Sequence, residues 1–194
     1  MEFDSHINGV VHSAIALVNA VTPGWHGGRP VPALDGAELT AAVGAALTTG
    51  MRFDGDGELV DDADARRIAA LAVKLRAVIE DIDAKHVDDA AGRLNDLLRE
   101  TGARPTLSRH DDEPWHLHFH AADAPPASSW VAPMATGLAV MVGNPSIERL
   151  GICTASECDR VYVDTSRNGT RRFCSTTCQN RVKTAAFRAR KAAG

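Results

Sequence analysis

The order of apolar and polar positions divides the chain into a long stretch of helical periodicity and a short end patterned differently. Val10 to Val21 is apolar apart from His12, Ser13 and Asn19, which predicts a buried first helix with Asn19 placed to cap it or hydrogen-bond within the core. Thr22 to Pro32 holds three prolines and three glycines and predicts a loop. Asp35 to Thr48 predicts a second helix with Leu39, Val43, Ala46 and Leu47 inward. The clearest period runs from Asp62 to Ile82, where Ile68, Leu71, Leu75, Val78, Ile79 and Ile82 recur at three and four. Asp61, Asp62 and Asp64 stand where the helix dipole favours acids. Val87 to Glu100 is its antiparallel partner, with Leu94, Leu97 and Leu98 on one face and Gly102 and Pro105 stopping it.

The period then changes. In Trp115 to Ala121 the residues Trp115, Leu117, Phe119 and Ala121 alternate with His116, His118 and His120, predicting a β-hairpin with Thr106 to Arg109 through the turn at 111–114. Ala122 to Ser128 reads as a breaker. Ser129 to Val142 returns to a buried helix through Val131, Met134, Leu138, Val140, Met141 and Val142, ended by Asn144-Pro145. These elements predict a mainly α protein with small β-hairpins, an α+β arrangement. Residues 1–144 form a helical domain, and residues 145–194 a treble-clef-like module of β-hairpin plus helix.

Composition supports the division. One Tyr, three Trp and five Phe leave a core of aliphatic side chains, suited to slim, closely packed helices. The 194 residues exclude a large multidomain enzyme, and the net charge of −4 speaks against a generally basic coat. That total hides an asymmetry: residues 145–194 hold ten basic and four acidic side chains, a net +6, leaving −10 for the first 144. After Thr165 eight basic residues stand with no acidic one, an anion-binding surface joined to an acidic body.

All four cysteines fall in the basic segment, spaced C-x4-C-x15-C-x3-C as Cys153, Cys158, Cys174 and Cys178. Two short loops that approach each other can bring four thiolates to one tetrahedral zinc. A module this small also needs a staple for want of a core. One structural Zn2+ is therefore expected. An iron–sulfur cluster is the lesser alternative, and four thiolates leave no open position for a catalytic zinc. The predicted module hairpin pairs Val161–Asp164 with Arg171–Phe173 through a turn at Asn168-Gly169. A helix over residues 175–192 follows. At 100° per residue, Val182, Ala185, Ala186 and Ala189 share the side of Cys174 and Cys178 and are expected to dock. Arg181, Thr184, Arg188 and Lys191 form an exposed stripe, with Lys183, Arg190 and Phe187 beside it. Such a helix fits the major groove of double-stranded DNA, with Arg167, Arg171 and Arg172 on flanking phosphates. The competing reading is a solvated helix, or one paired with the acidic body.

The run from Cys153 through VYVDTSRNGTRRFCSTTCQNRVKTAAFRAR resembles the CGNR zinc-finger family, bacterial proteins described as stress-induced transcriptional regulators. Asp164, Ser166, Arg167, Asn168, Arg171, Arg172, Cys174, Asn180, Arg181 and Lys183 stand at the family's motif positions, while Gln179 replaces the family's glycine. The resemblance implies a DNA-binding module behind a helical domain that senses a ligand. Asn180 and Arg181 either touch bases or brace the module. Leu17-Val18-Asn19-Ala20, Trp25 and Arg29 are similar, more weakly, to the start of the family's sensor region. By that analogy Asn19, Trp25, Arg29, Trp115 and Trp130 are candidates to line a small-molecule pocket.

Three further features bear on function. His116, His118 and His120 share one strand face, with His110 across the hairpin, a candidate second metal site whose plainer reading is surface. The acidic glycine turn at 54–58 resembles a calcium loop in composition alone. No hydrolase, metalloprotease, nucleotide or dinucleotide motif occurs, so no enzymatic activity is expected. With no basic leader and no run of 18 apolar residues, a cytoplasmic protein without a membrane partner is expected. Many DNA readers dimerise to match half-sites, which makes a homodimer a candidate assembly although no interface is specified.

Overall fold

The computed structural model describes residues 5–49, 60–109, 115–121 and 123–192, with side chains from residue 8 onward. The acidic turn at 54–58, His110 and the turn at 111–114 lie outside the described residues. Five helices form the body: α1 (Ser5–Val21), α2 (Gly36–Leu47), α3 (Asp62–Asp83), α4 (Val87–Thr101) and α5 (Pro126–Val142). The three- and four-residue spacing buries Val10, Val11, Ala14, Leu17, Val18 and Val21 of α1 and the predicted inward residues of α2 and α3. Helix α3 lies at the centre and touches the other four. Its N-terminus is capped by the Asp61 carboxylate, which accepts the Asp64 N–H at 2.7 Å. Helix α4 stops at Gly102, whose φ of +63° is the left-handed ending glycine permits.

Several expectations change. The Thr22–Pro32 segment is not a plain loop: β1 (Gly24–His26) and β2 (Arg29–Val31) pair antiparallel across it. Gly27 and Gly28 supply the two left-handed residues, φ +61° and +87°, that a two-residue hairpin turn requires. Helix α5 begins at Pro126 rather than Ser129, because proline suits a first helical turn, where the N–H would be unpaired anyway. Val140 and Val142 are only half-buried.

The β3 (Thr106–Ser108) and β4 (His116–His118) pair forms as predicted, in the register Leu107↔Leu117. Its apolar side does not face the core. Leu107 is 64% exposed and Trp115 66% exposed, while Phe119 is buried. Alternation shows which residues share a face, but not which face the body covers.

The C-terminal module begins with a 3₁₀ turn at Pro145–Arg149, capped by the Asn144 side chain. Its hairpin pairs β5 (Leu150–Ile152) with β6 (Val161–Val163), not Val161–Asp164 with Arg171–Phe173. Asp164 is the reason. Its carboxylate accepts the N–H groups of Ser166 at 2.8 Å and Arg171 at 2.7 Å, closing 164–171 as a loop without a ladder. Burial opposes the Asp164 charge, but these hydrogen bonds, that of the Ser166 side chain and the nearby Arg149 hold its carboxyl below the usual range. Helix α6 (Thr176–Ala192) is the last described element.

Body and module share one core. Leu150, Val161 and Val163 belong to the same buried cluster as Leu17, Val18, Leu75 and Ile79. The polar junction is equally specific. The Asn19 side chain mimics a strand partner, donating to Val161 O and accepting from Val161 N–H, both at 2.9 Å. Arg160, only 3% exposed, donates Nη1 to the carbonyls of Asn19 at 2.8 Å and Thr22 at 2.9 Å, answering the exposed end of α1. Its Nε and Nη2 hold Asp159, and Arg76 donates to the Asp159 carbonyl at 3.1 Å. At the far edge the Asp83 carboxylate accepts the Ile152 N–H at 3.0 Å.

Asn19→Ala leaves both Val161 backbone groups without partners. An expected loss of about 2–4 kcal/mol of stability follows, read as a lowered urea midpoint of the zinc-loaded protein. A loss below about 0.5 kcal/mol would count against the junction.

Candidate metal centre and basic helix

The β5–β6 hairpin carries the first cysteine pair in its own loop. Cys153 N–H donates to Arg160 O at 3.0 Å, and the left-handed Glu157, φ +52°, turns the chain back toward Cys158. The second pair belongs to the start of α6. Ser175 caps that helix, its hydroxyl accepting the Cys178 N–H at 3.2 Å, so Cys174 and Cys178 flank the first turn. The two halves are tied where Thr154 N–H and its hydroxyl both donate to Arg172 O, at 3.0 and 3.1 Å.

The four sulfurs meet. Cys158 lies 3.7 Å from Cys174 and 3.6 Å from Cys178, Cys174 lies 3.7 Å from Cys178, and all four sulfurs are within 4.8 Å of one another. Tetrahedral zinc with bonds of about 2.3 Å needs sulfurs about 3.8 Å apart, so the donor set fits one structural zinc. None of the four is in a disulfide. Burial pushes the Cys153 and Cys174 thiols up, the neighbouring sulfurs adding to the shift at Cys174. At Cys158 burial acts the same way but is outweighed by the backbone N–H groups of Gly27 and Arg160, which lower it. Zinc, when bound, supplies the charge that holds all four as thiolates and ties the hairpin loop to the helix.

Gly27 belongs to the body. Its hairpin reaches over the metal loop: Gly28 N–H donates to Glu157 O at 2.9 Å, Asp159 N–H to Trp25 O at 3.1 Å, and Trp25 N–H to the Asp159 carboxylate at 3.0 Å. Nothing in residues 24–28 marks them as neighbours of a metal beyond the Gly-Gly turn itself.

The expected nucleic-acid residues separate into two groups. Arg171 is spent internally, donating to Phe173 O at 2.7 Å and to Cys174 O, with its guanidinium 5.4 Å from the centre of the Tyr162 ring. Arg181 likewise turns inward, donating to Ser156 O at 3.2 Å beside Glu157, with Nη1 buried. Arg149, which sequence reasoning missed, holds the same loop through Asp164 O and Ser166 O. Arg167, Arg172, Asn180, Lys183, Thr184, Arg188 and Lys191 are exposed. Val182 reaches the cysteine cluster, but Ala185, Ala186 and Ala189 do not dock; every described residue of α6 beyond Val182 is exposed, Phe187 by 60%. The helix outruns the module that was expected to cover them.

The candidate pocket residues are dispersed in role. Asn19 serves the junction and Trp25 the metal-loop contact; Arg29 and Trp115 are exposed, and Trp130 lies half-buried against the core. The three histidines form a chain: His118 Nε2 is 2.8 Å from His116 Nε2, and its Nδ1 is 3.4 Å from His120 Nε2. Among the described residues, the converging group of metal-ligand atoms is that of the cysteines.

Residues 149–191 match the family model described as CGNR zinc finger. No curated protein matches the chain.

Metal analysis of the purified protein is expected to return about one zinc per chain. Cys178→Ser should abolish tight retention and lower the melting temperature, whereas His118→Ala should leave the stoichiometry unchanged. About two equivalents falling to one in His118→Ala would place a second ion on the histidine strand.

Proposed function

We propose, from a chain that carries a CGNR zinc-finger module at residues 149–191, that the protein is a cytoplasmic DNA-binding transcriptional regulator. In this reading α6 enters the major groove, and the body, residues 1–144, senses a small molecule. The observation that carries it is the outer half of α6. Lys183, Arg188, Arg190 and Lys191 are exposed, and their side chains make no hydrogen bond or ion pair with any described residue. No described residue of the acidic body neutralises them, which weighs against the self-paired alternative.

Geometry and charge support duplex DNA as the partner. A helix of about 10–12 Å diameter suits a groove about 12 Å wide. Thr184, Arg188 and Lys191 lie along one stripe and Lys183, Phe187 and Arg190 beside it, while Ala185, Ala186 and Ala189 on the remaining side allow close approach to base edges. Arg167 and Arg172 add two exposed cations on the loop before the helix. Exposed Phe187 with the alanine face favours a second reading, a non-catalytic adaptor that seats a protein partner or binds RNA. In this reading the metal is structural, since four thiolates would close its coordination sphere.

Effector control of such a helix needs a physical connection. The end of α1 and the metal loop are joined through Asn19, Arg160 and the β1–β2 turn, so a displacement of the body is felt at the module.

Neutralising Lys183, Arg188 and Lys191 together should weaken duplex binding and reduce the slope of log affinity against log salt by about 2–3, measured by fluorescence anisotropy. Unchanged affinity with zinc retained would favour the adaptor. Selection from a random duplex pool should enrich a motif; failure to enrich any would remove sequence-specific regulation.

A further inference from the structure

We infer that the DNA-contacting face does not end with the zinc module: the body's β1–β2 hairpin extends it, with Arg29 and His26 placed to hold the phosphate backbone beside α6. This deepens the DNA-binding reading and rests on it.

The hairpin sits at the foot of the basic stripe. Gly28 approaches the Arg181 guanidinium so closely that a Cβ there would lie 2.6 Å from Nη2. Arg29 follows directly, its Cα about 3.8 Å from that of Gly28. From Arg181 the exposed stripe of Thr184, Arg188 and Lys191 rises about 15 Å along the helix. Arg29 therefore stands next to the point where the stripe begins.

His26 and Arg29 are cross-strand partners, so their side chains leave the ribbon on the same face. Both are exposed, and neither side chain makes a hydrogen bond or ion pair with a described residue. Glu157 and Asp159, the acids this hairpin contacts, are answered by Arg181 at 3.9 Å and Arg160 at 2.6 Å. An arginine fork free of internal partners suits a phosphate oxygen.

Rigidity makes the juxtaposition useful. The turn is tied to the metal loop, because Gly28 N–H is bonded to Glu157 O, next to Cys158, whose sulfur clusters with those of Cys174 and Cys178 at the start of α6. A groove-bound α6 and a hairpin on the flanking backbone would thus move as one body. Phosphate contacts of this kind set register and orientation rather than sequence preference.

The test uses the full zinc-loaded chain and a fluorescent mixed-sequence duplex, titrated between about 50 and 200 mM salt. Arg29→Ala is expected to weaken binding by about three- to tenfold and lower the salt slope by about one, with zinc content and melting temperature unchanged. Arg29→Lys should restore most of the slope. Arg66→Ala, removing an exposed cation of α3, should change neither quantity and so controls for net charge. Arg29→Ala indistinguishable from Arg66→Ala, while the wild type binds normally, overturns the composite face and leaves α6 as the contact. Absence of any salt-dependent binding by the wild type overturns the DNA-binding reading and this inference together.

Discussion

Arg160 holds the molecule together at the place where its two halves meet. A guanidinium taken almost fully out of water costs several kcal/mol unless its donors are answered. Here they are answered by the Asn19 and Thr22 carbonyls at the end of α1 and by the carboxylate of the preceding residue, Asp159. That requirement places β6 across the end of α1, and with β6 come β5, the first two cysteines and the metal loop. Asn19 fixes the register by giving Val161 both hydrogen bonds that a neighbouring strand would supply. The apolar residues around it make the contact stable, and the polar ones allow one alignment.

From that anchor the geometry passes outward through the metal. Zinc, when bound, would join a loop fastened to the body with the first turn of a helix that is otherwise tied only near its start, by Arg171 and Arg181, and is exposed beyond Val182. An isolated helix of this length is marginal in water, so its start must be secured. The Ser175 cap and the ligands Cys174 and Cys178 do this. The basic half is thereby presented as an exposed helix face. Two arginines that look like ligand-binding residues in sequence, Arg171 and Arg181, instead brace the structure that presents the others.

Much of this was legible beforehand because it is local. The inward faces of α2 and α3 follow from spacing within a few turns, and the cysteine spacing specified a four-sulfur site without reference to any distant residue. Misreadings arose where a residue's partner lay far away. Thr22–Pro32 looked structureless because its strands are three residues long, and proline and glycine dominate it. Asn168-Gly169 is a strong turn signal that points to a different strand pair, while the Asp164 hydrogen bonds that override that ladder depend on how the loop closes. In the β3–β4 pair the alternation was right, and the side turned to solvent was not.

By itself, then, the sequence determined the helices of the body, the tetrahedral cysteine set and the separation of acidic from basic charge, since each is written in spacings of a few residues or in composition. Tertiary structure alone decided that a hairpin beginning at Gly24 is bonded to the metal loop, that Asn19 pairs with Val161 from 142 residues away, and which cations stay free. Periodicity tells each element which side is apolar. Only the packed chain, where buried donors must find acceptors, settles what each polar side chain meets.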